Sequence, residues 1–152
     1  MYIKDFLNQF KEYRIRLFVD MDGVIADYDV GKPSEYDQKR PLFDSIKKLE
    51  EVSMMDNIEM YILSVSRMHD GIKQKNDWIN KYAPFVKEEN RIIIAREDNN
   101  FEHSKELKEK FITNLHRDES KIVIIDDDPE VIKTLQNKNK DVILLKDTVL
   151  VD

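Results

Sequence analysis

The sequence contains no cysteine, and this absence excludes a disulfide framework, thiolate metal sites and thiol catalysis. No apolar run approaches the roughly 20 residues of a membrane span, and charges occur throughout residues 1–13, where a signal peptide would be apolar. Basic residues are fewer than acidic ones, 25 against 31, so the net charge of −6 argues against a general nucleic-acid clamp. We expect a cytoplasmic protein without membrane contact.

Glycine and proline are also scarce, with three and four among 152 residues. The chain has no repeat and no Gly/Ser linker that would divide it. At this length we expect residues 1–152 to form one domain. The 41% hydrophobic and 37% charged residues are typical of a globular protein with a single core.

Short apolar runs alternate with segments of helical periodicity, which predicts an α/β fold. Each run is continuously apolar, as in strands buried on both faces of a parallel sheet. The predicted strands are residues 15–19, 58–63, 92–94, 122–125 and 142–145, and the predicted helices are residues 3–13, 41–52, 74–82, 104–115 and a segment from Pro129. We expect a five-stranded, three-layer Rossmann-like sheet with helices on both faces.

Polar residues follow three of the predicted strands. Asp20 and Asp22 come directly after the first, Ser64 ends the second, and Asp126 and Asp127 end the fourth. Because the carboxyl ends of parallel strands share one edge of a sheet, we expect these side chains to lie together. One carboxylate can attack phosphorus while another transfers protons, and oxygen ligands without sulfur select Mg²⁺. The pattern therefore predicts Mg²⁺-dependent phosphoryl transfer.

A lysine near the start of the fourth predicted helix could neutralise a phosphate oxygen. Lys105, Lys108 and Lys110 all compete for this role. We favour Lys105 because it lies nearest to the start of the helix and hence to the strand ends.

These motifs resemble those of the haloacid dehalogenase (HAD) superfamily of aspartate-based phosphatases. The resemblance lies in an apolar strand followed by Asp-Met-Asp-Gly-Val, a strand ending in serine, and a strand ending in an acidic pair, in that order over about residues 15–145. It implies that Asp20 is the nucleophile and Asp22 the general acid/base, while Ser64 and Lys105 hold the phosphoryl group. The implied Mg²⁺ ligands are Asp20, Asp126, the backbone carbonyl of Asp22 and, directly or through water, Asp127.

The extension of the first motif over residues 22–27 looks most like the 5′(3′)-deoxyribonucleotidase branch, which implies nucleotide monophosphates as substrates. Members of that branch have a helical cap between the first and second motifs, whereas only the 41 positions 23–63 are available here. We therefore expect a minimal cap or none, and a site covered by a mobile flap at residues 28–36, by a neighbouring subunit of a homo-oligomer, or by a bulky substrate. Phosphorylated nucleic-acid ends, or another macromolecule, are the alternative substrates.

Two other classes of protein share parts of this pattern. A phosphoacceptor receiver domain places its phosphorylated aspartate after the third strand, but the third predicted strand ends in Ala95-Arg96 here. A catalytically idle HAD-like binding module is the second alternative. The presence of Asp22 argues against it, because loss of the acid/base would be the simplest route to an idle fold.

Overall fold

The computed structural model of the chain describes residues 3–28 and 35–151. Its helices and strands are α1 Ile3–Asn8, β1 Ile15–Val19, α2 Phe43–Ser53, β2 Ile58–Ser66, α3 Asp70–Tyr82, β3 Arg91–Ala95, α4 Ser104–Asn114, β4 Lys121–Asp126, α5 Pro129–Lys138 and β5 Ile143–Lys146. Short 3-10 helices lie at Tyr36–Gln38, Glu88–Asn90, Glu97–Asn99 and Asp147–Leu150. The longest helix that the structure describes, α3, has 13 residues and is too short and too polar to cross a bilayer.

In the described residues the strands form one parallel sheet in the order β3-β2-β1-β4-β5. The central strand, β1, pairs its last residue, Val19, with Ile62 of β2 on one side and with Ile125 of β4 on the other. Residues that follow β1 therefore lie between the ends of its two neighbours. The predicted α/β sheet is confirmed.

The two faces of the sheet are covered by different helices. Leu17, Val19 and Ile125 point to one face, where they share a core with residues of α1, α2 and α3. Phe18 and Ile124 alternate with them and point to the other face, where α4 and α5 cover the sheet. Burial on both faces explains why the strands are continuously apolar. The predicted three-layer arrangement is also confirmed.

The start of α2 differs from the prediction. The helix begins at Phe43, because Pro41 pairs with Ala26 in an isolated antiparallel bridge and the N–H of Leu42 donates to the carbonyl of Ile25 at 2.8 Å. The proline thus belongs to a connection that is held to the turn after β1. A helix-start preference read from proline alone cannot detect this tertiary contact.

Three other boundaries also move. Helix α1 ends at Asn8 because turns replace the helix over the next residues. Strand β2 continues two residues beyond Ser64, so this serine lies inside the strand and not at its end. Helix α3 begins at Asp70, four residues earlier than predicted, and this places Lys75 in its second turn. Both of the last two changes affect the candidate site.

The described residues between the first and second motifs contain no helical lid. They form a tight turn after β1, the 3-10 helix Tyr36–Gln38 and α2, which contributes to the core below the sheet. This agrees with the expectation of a minimal cap. Residues 29–34 of the expected flap lie outside the described residues.

Candidate active site

Three carboxylates meet at the carboxyl edge of the sheet, and we call Asp20, Asp126 and Asp127 the acidic cluster. Asp20 follows β1 and Asp126 ends β4, so the pairing of these strands brings them together. One oxygen of each carboxylate lies within 4.8 Å of the others. Asp20 and Asp126 are buried and Asp127 is half-buried. An oxygen-only set at this spacing fits a single hard divalent cation such as Mg²⁺.

Lys108 of α4 contacts the acidic cluster directly. Its Nζ lies 3.0 Å from Oδ1 of Asp20 and 2.7 Å from Oδ2 of Asp126, and its side chain is only 4% exposed. Burial by itself would lower the pKa of Lys108, but the two carboxylates outweigh burial and raise it. The lysine is therefore a fixed positive charge at the cluster.

Two carboxyl groups of the cluster, those of Asp20 and Asp127, are harder to ionise than ordinary aspartates. Burial raises the pKa of Asp20 to about 8, with Lys108 opposing the rise and Asp126 and Asp22 adding to it. Burial and the neighbouring Asp126 also raise the pKa of Asp127. A cation bound to the cluster would favour the ionised forms.

The turn after β1 presents Asp22 and requires a glycine. The carbonyl of Met21 accepts the N–H groups of residues 24–26 at 3.1, 2.9 and 2.9 Å. Gly23 has a φ of +81°, which favours glycine, and a β-carbon at this position would overlap the carboxylate of Asp127. Glycine at position 23 thus permits both the tight turn and the close approach of the Asp127 carboxylate to that turn.

The carboxylate of Asp22 is held by two lysines outside the cluster. Its Oδ1 accepts from Nζ of Lys39 at 2.7 Å, and its Oδ2 accepts from Nζ of Lys75 at 3.1 Å. The Lys75 ammonium also donates to Oγ of Ser64 at 2.7 Å and to the carbonyl of Val65 at 2.9 Å. Burial acts to raise the pKa of Asp22, but Lys75 and Lys39 outweigh it, and the pKa is lowered.

Aromatic side chains support both of these lysines. The Lys39 and Lys75 ammonium groups lie 4.9 and 5.1 Å from the ring centre of Tyr36. The indole of Trp78 meets this ring edge-on and donates from Nε1 to the backbone carbonyl of Lys39 at 3.0 Å. Neither Lys39 nor Lys75 can be identified from the sequence, because neither belongs to a recognisable motif.

The structure corrects the choice of lysine in α4. Lys105 is away from the acidic cluster, with its side chain 38% exposed and its Nζ 3.6 Å from Glu130. Lys110 pairs with Glu102 at 2.7 Å. Lys108 occupies the expected place, because it lies on the buried face of α4 with Leu107 and Ile112, whereas the neighbouring Lys105 is partly exposed. Helical periodicity, not distance from the helix start, is the signal that could have found it.

An open cavity of about 410 Å³ lies in front of the acidic cluster. Its walls include Asp22, Ser104, Lys108 and Tyr28, an aromatic residue that is largely exposed. Ser64 is fully buried and reaches the site through Lys75. The predicted residues Asp20, Asp22, Ser64, Asp126 and Asp127 are thus brought to one edge of the sheet.

Several solved structures are similar to this chain. Two come from the Pnkp1/Rnl/Hen1 RNA repair complex, each 12% identical, with TM-scores of 0.68 and 0.69, and the matches cover 89% and 88% of this chain but 42% and 46% of those chains. A third is the HAD domain of the effector protein Lem4 from Legionella pneumophila, 16% identical with a TM-score of 0.50, covering 88% of this chain and 85% of that one.

The chain therefore has a HAD-like fold and spans less than half the length of the first two chains that it matches. No protein-family model matches the sequence, and no curated protein matches it. The similar structures do not single out the nucleotidase branch. At these identities the likeness establishes the fold alone.

Proposed function

We propose that this chain is a Mg²⁺-dependent phosphomonoester hydrolase that acts through an aspartyl-phosphate on Asp20. One observation carries the proposal: the acidic cluster and Lys108 meet at the carboxyl edge of the sheet, and Asp22 lies two residues beyond Asp20. The HAD-like fold supports the same reaction class. The order of the strands also disfavours a receiver domain, since Asp20 follows the first strand and not the third.

The residues at the cluster fit Mg²⁺ because they offer only hard oxygen ligands on a buried, negatively charged edge. The carboxylates of Asp20 and Asp126 and the backbone carbonyl of Asp22 would hold the ion, with Asp127 as a further ligand or as the partner of bound water. When bound, Mg²⁺ would offset the negative charge of the phosphoryl oxygens and keep Asp20 ionised.

In the first half of the reaction, a carboxylate oxygen of Asp20 attacks phosphorus while the bond from phosphorus to the ester oxygen breaks. Asp22 gives its proton to the departing oxygen. Lys108 donates to the phosphoryl oxygens. Ser64 is the second phosphoryl donor that we propose, and its hydroxyl oxygen accepts from Lys75. The two lysines lower the pKa of Asp22, and the negative charge of the approaching phosphate raises it. The phosphate thereby favours the protonated form of Asp22 that this step needs.

In the second half, water attacks the phosphorus of the aspartyl-phosphate. Asp22, now ionised, accepts a proton from this water, and the bond from phosphorus to Asp20 breaks. Inorganic phosphate leaves, and Asp20 returns as a carboxylate. Atoms and protons balance, because the proton that Asp22 releases in the first half is recovered in the second.

Two substrate classes follow from the observations. Nucleotide monophosphates are proposed from the first motif. Phosphorylated nucleic-acid ends are favoured by the open cavity, by the lack of a helical lid in the described residues, and by similar structures whose complex is named for RNA repair. A protruding nucleic-acid end fits an open site better than a free nucleotide, which a lid would have to enclose.

A phosphatase screen tests the proposal. The substrates are p-nitrophenyl phosphate, mononucleotides, and oligonucleotides with a 3′- or 5′-phosphate, each with Mg²⁺ and with EDTA. We expect Mg²⁺-dependent phosphate release that is slow on the small substrates and faster on an oligonucleotide, and none from Asp20→Asn. Phosphate binding without release from any substrate would instead support an idle binding module. A fast, selective rate on one mononucleotide by a monomer would contradict the open-site argument.

A further inference from the structure

Asp22 has an ammonium group on each of its two carboxylate oxygens, at 2.7 Å from Lys39 and 3.1 Å from Lys75. Both lysine side chains are buried. Burying an ammonium group carries a large desolvation penalty unless the group is fully paired and hydrogen-bonded. Two buried ammonium groups on one carboxylate therefore destabilise the fold unless their other donors also find partners. Within the described residues neither lysine donates a hydrogen bond to the acidic cluster, and the carboxylate that both lysines contact is that of Asp22.

The Lys75 ammonium uses all three of its donors on defined partners. They are Oδ2 of Asp22, Oγ of Ser64 and the carbonyl of Val65, at 3.1, 2.7 and 2.9 Å. This one side chain of α3 thus joins the turn after β1 to the interior of β2. One ammonium thus bridges Asp22 and Ser64, two groups that our proposal places on the same substrate.

Lys39 completes the restraint from the other side. Its ammonium holds Oδ1 of Asp22, and its backbone carbonyl accepts from Nε1 of Trp78 at 3.0 Å. Trp78 lies three residues after Lys75 on α3, so both restraints depend on the same helix. With one ammonium on each oxygen, the carboxylate of Asp22 cannot rotate without losing a hydrogen bond.

We infer that Lys75, supported by Lys39, is a positioning residue that fixes the carboxylate of Asp22 for proton transfer. This inference rests on the proposed function, in which Asp22 is the acid/base. A positioning residue acts only through the group that it positions. The contribution of Lys75 to turnover should therefore disappear when the carboxylate of Asp22 is removed.

A double-mutant cycle measures this dependence. The four proteins are the wild type, Lys75→Met, Asp22→Asn and the double variant, assayed with Mg²⁺ on p-nitrophenyl phosphate or on a 5′-phosphorylated oligonucleotide, whichever the wild type hydrolyses faster. We expect Lys75→Met to have a kcat about 10- to 100-fold below that of the wild type, with KM nearly unchanged. This is the size of effect expected when a catalytic group is displaced. In the Asp22→Asn background the same substitution should change kcat by less than about threefold.

The control is Lys73→Met on the same helix, whose side chain is 84% exposed and pairs with Asp77 at 2.8 Å. It should leave kcat and KM unchanged. Thermal unfolding is recorded for each protein, and Lys39→Met replaces Lys75→Met in the cycle if the latter is unfolded at the assay temperature. Equal fold losses in both backgrounds, or no loss in the wild type, would overturn the inference alone. An inactive wild type would overturn the proposed function as well.

Discussion

Replacement of Lys108 by methionine tests the charge balance of the acidic cluster. The buried ammonium lies 3.0 Å from Asp20 and 2.7 Å from Asp126, and methionine keeps much of its length while removing the charge. Loss of one partner of a buried ion pair costs about 3–5 kcal/mol. We expect the lower end, because burial already raises the pKa of Asp20 to about 8, and a protonated Asp20 leaves less unpaired negative charge when the ammonium is removed.

A loss of about 3 kcal/mol corresponds to a fall in Tm of about 6–12 °C for a domain of this size. Thermal unfolding in EDTA, followed by circular dichroism, measures it. Lys105→Met is the matched control from the same helix, and because that side chain is partly exposed we expect a change of at most about 1 kcal/mol.

Mg²⁺ adds a second readout to this experiment. The ion and the ammonium neutralise the same carboxylates, so excess Mg²⁺ should raise the Tm of Lys108→Met more than it raises the Tm of the wild type. Equal Tm losses for the two lysine variants would show that the acidic cluster does not need the charge of Lys108. So would a Lys108→Met protein as stable in EDTA as the wild type.

The remaining predictions concern the turn after β1 and the metal. Asp20→Asn should abolish phosphate release without changing the circular dichroism spectrum, because an amide is a far poorer nucleophile; retained turnover would remove the covalent mechanism. Asp22→Asn should lower kcat by about 10²-fold or more, and an unchanged kcat would reassign the acid/base. Gly23→Ala should destabilise the fold by about 1–3 kcal/mol in urea unfolding, since its φ of +81° becomes strained; an unchanged midpoint would contradict this. EDTA should stop turnover and Mg²⁺ restore it, whereas full activity in EDTA would contradict the metal site.

The sheet could be predicted from the sequence because its physical signal is local. Continuous apolar runs such as residues 15–19 and 122–125 are buried on both faces, and the polar residues that follow them mark where each strand stops. The position of Asp20 and Asp126 at one edge then follows from parallel pairing. The start of α5 is equally local: the helix begins at Pro129 as predicted, and Asp128 just before it accepts from the N–H of Glu130 at 2.9 Å.

The start of α2 depends on a tertiary contact, and the choice between Lys105 and Lys108 depends on which face of α4 packs on the sheet. Pro41 satisfies a helix-start preference, but its bridge to Ala26 delays the helix by two residues. Lys105 is closer to the helix start, but the packing of α4 on the sheet turns Lys108 towards the cluster. Sequence distance to a helix end is a weak guide to which side chain faces a site.

The two lysines at Asp22 could not be predicted from the sequence. Lys39 follows a 3-10 helix in the connection between β1 and α2, and Lys75 lies within a helix whose start was placed too late. Their contacts with Asp22 span 17 and 53 residues of the chain, and a charged residue on an amphipathic helix is ordinarily exposed. Only the folded arrangement of α3 against β2 shows that these ammonium groups are buried.

Detection of a phosphoryl group on Asp20 tests the central proposal most directly. The wild type is mixed with Mg²⁺ and a radiolabelled phosphomonoester that it hydrolyses, quenched with acid during turnover, digested and analysed by mass spectrometry. We expect one phosphoryl group on the peptide that contains Asp20, released by hydroxylamine and absent from Asp20→Asn. Turnover without a protein-bound phosphoryl group, or with the group on a different residue, would contradict it.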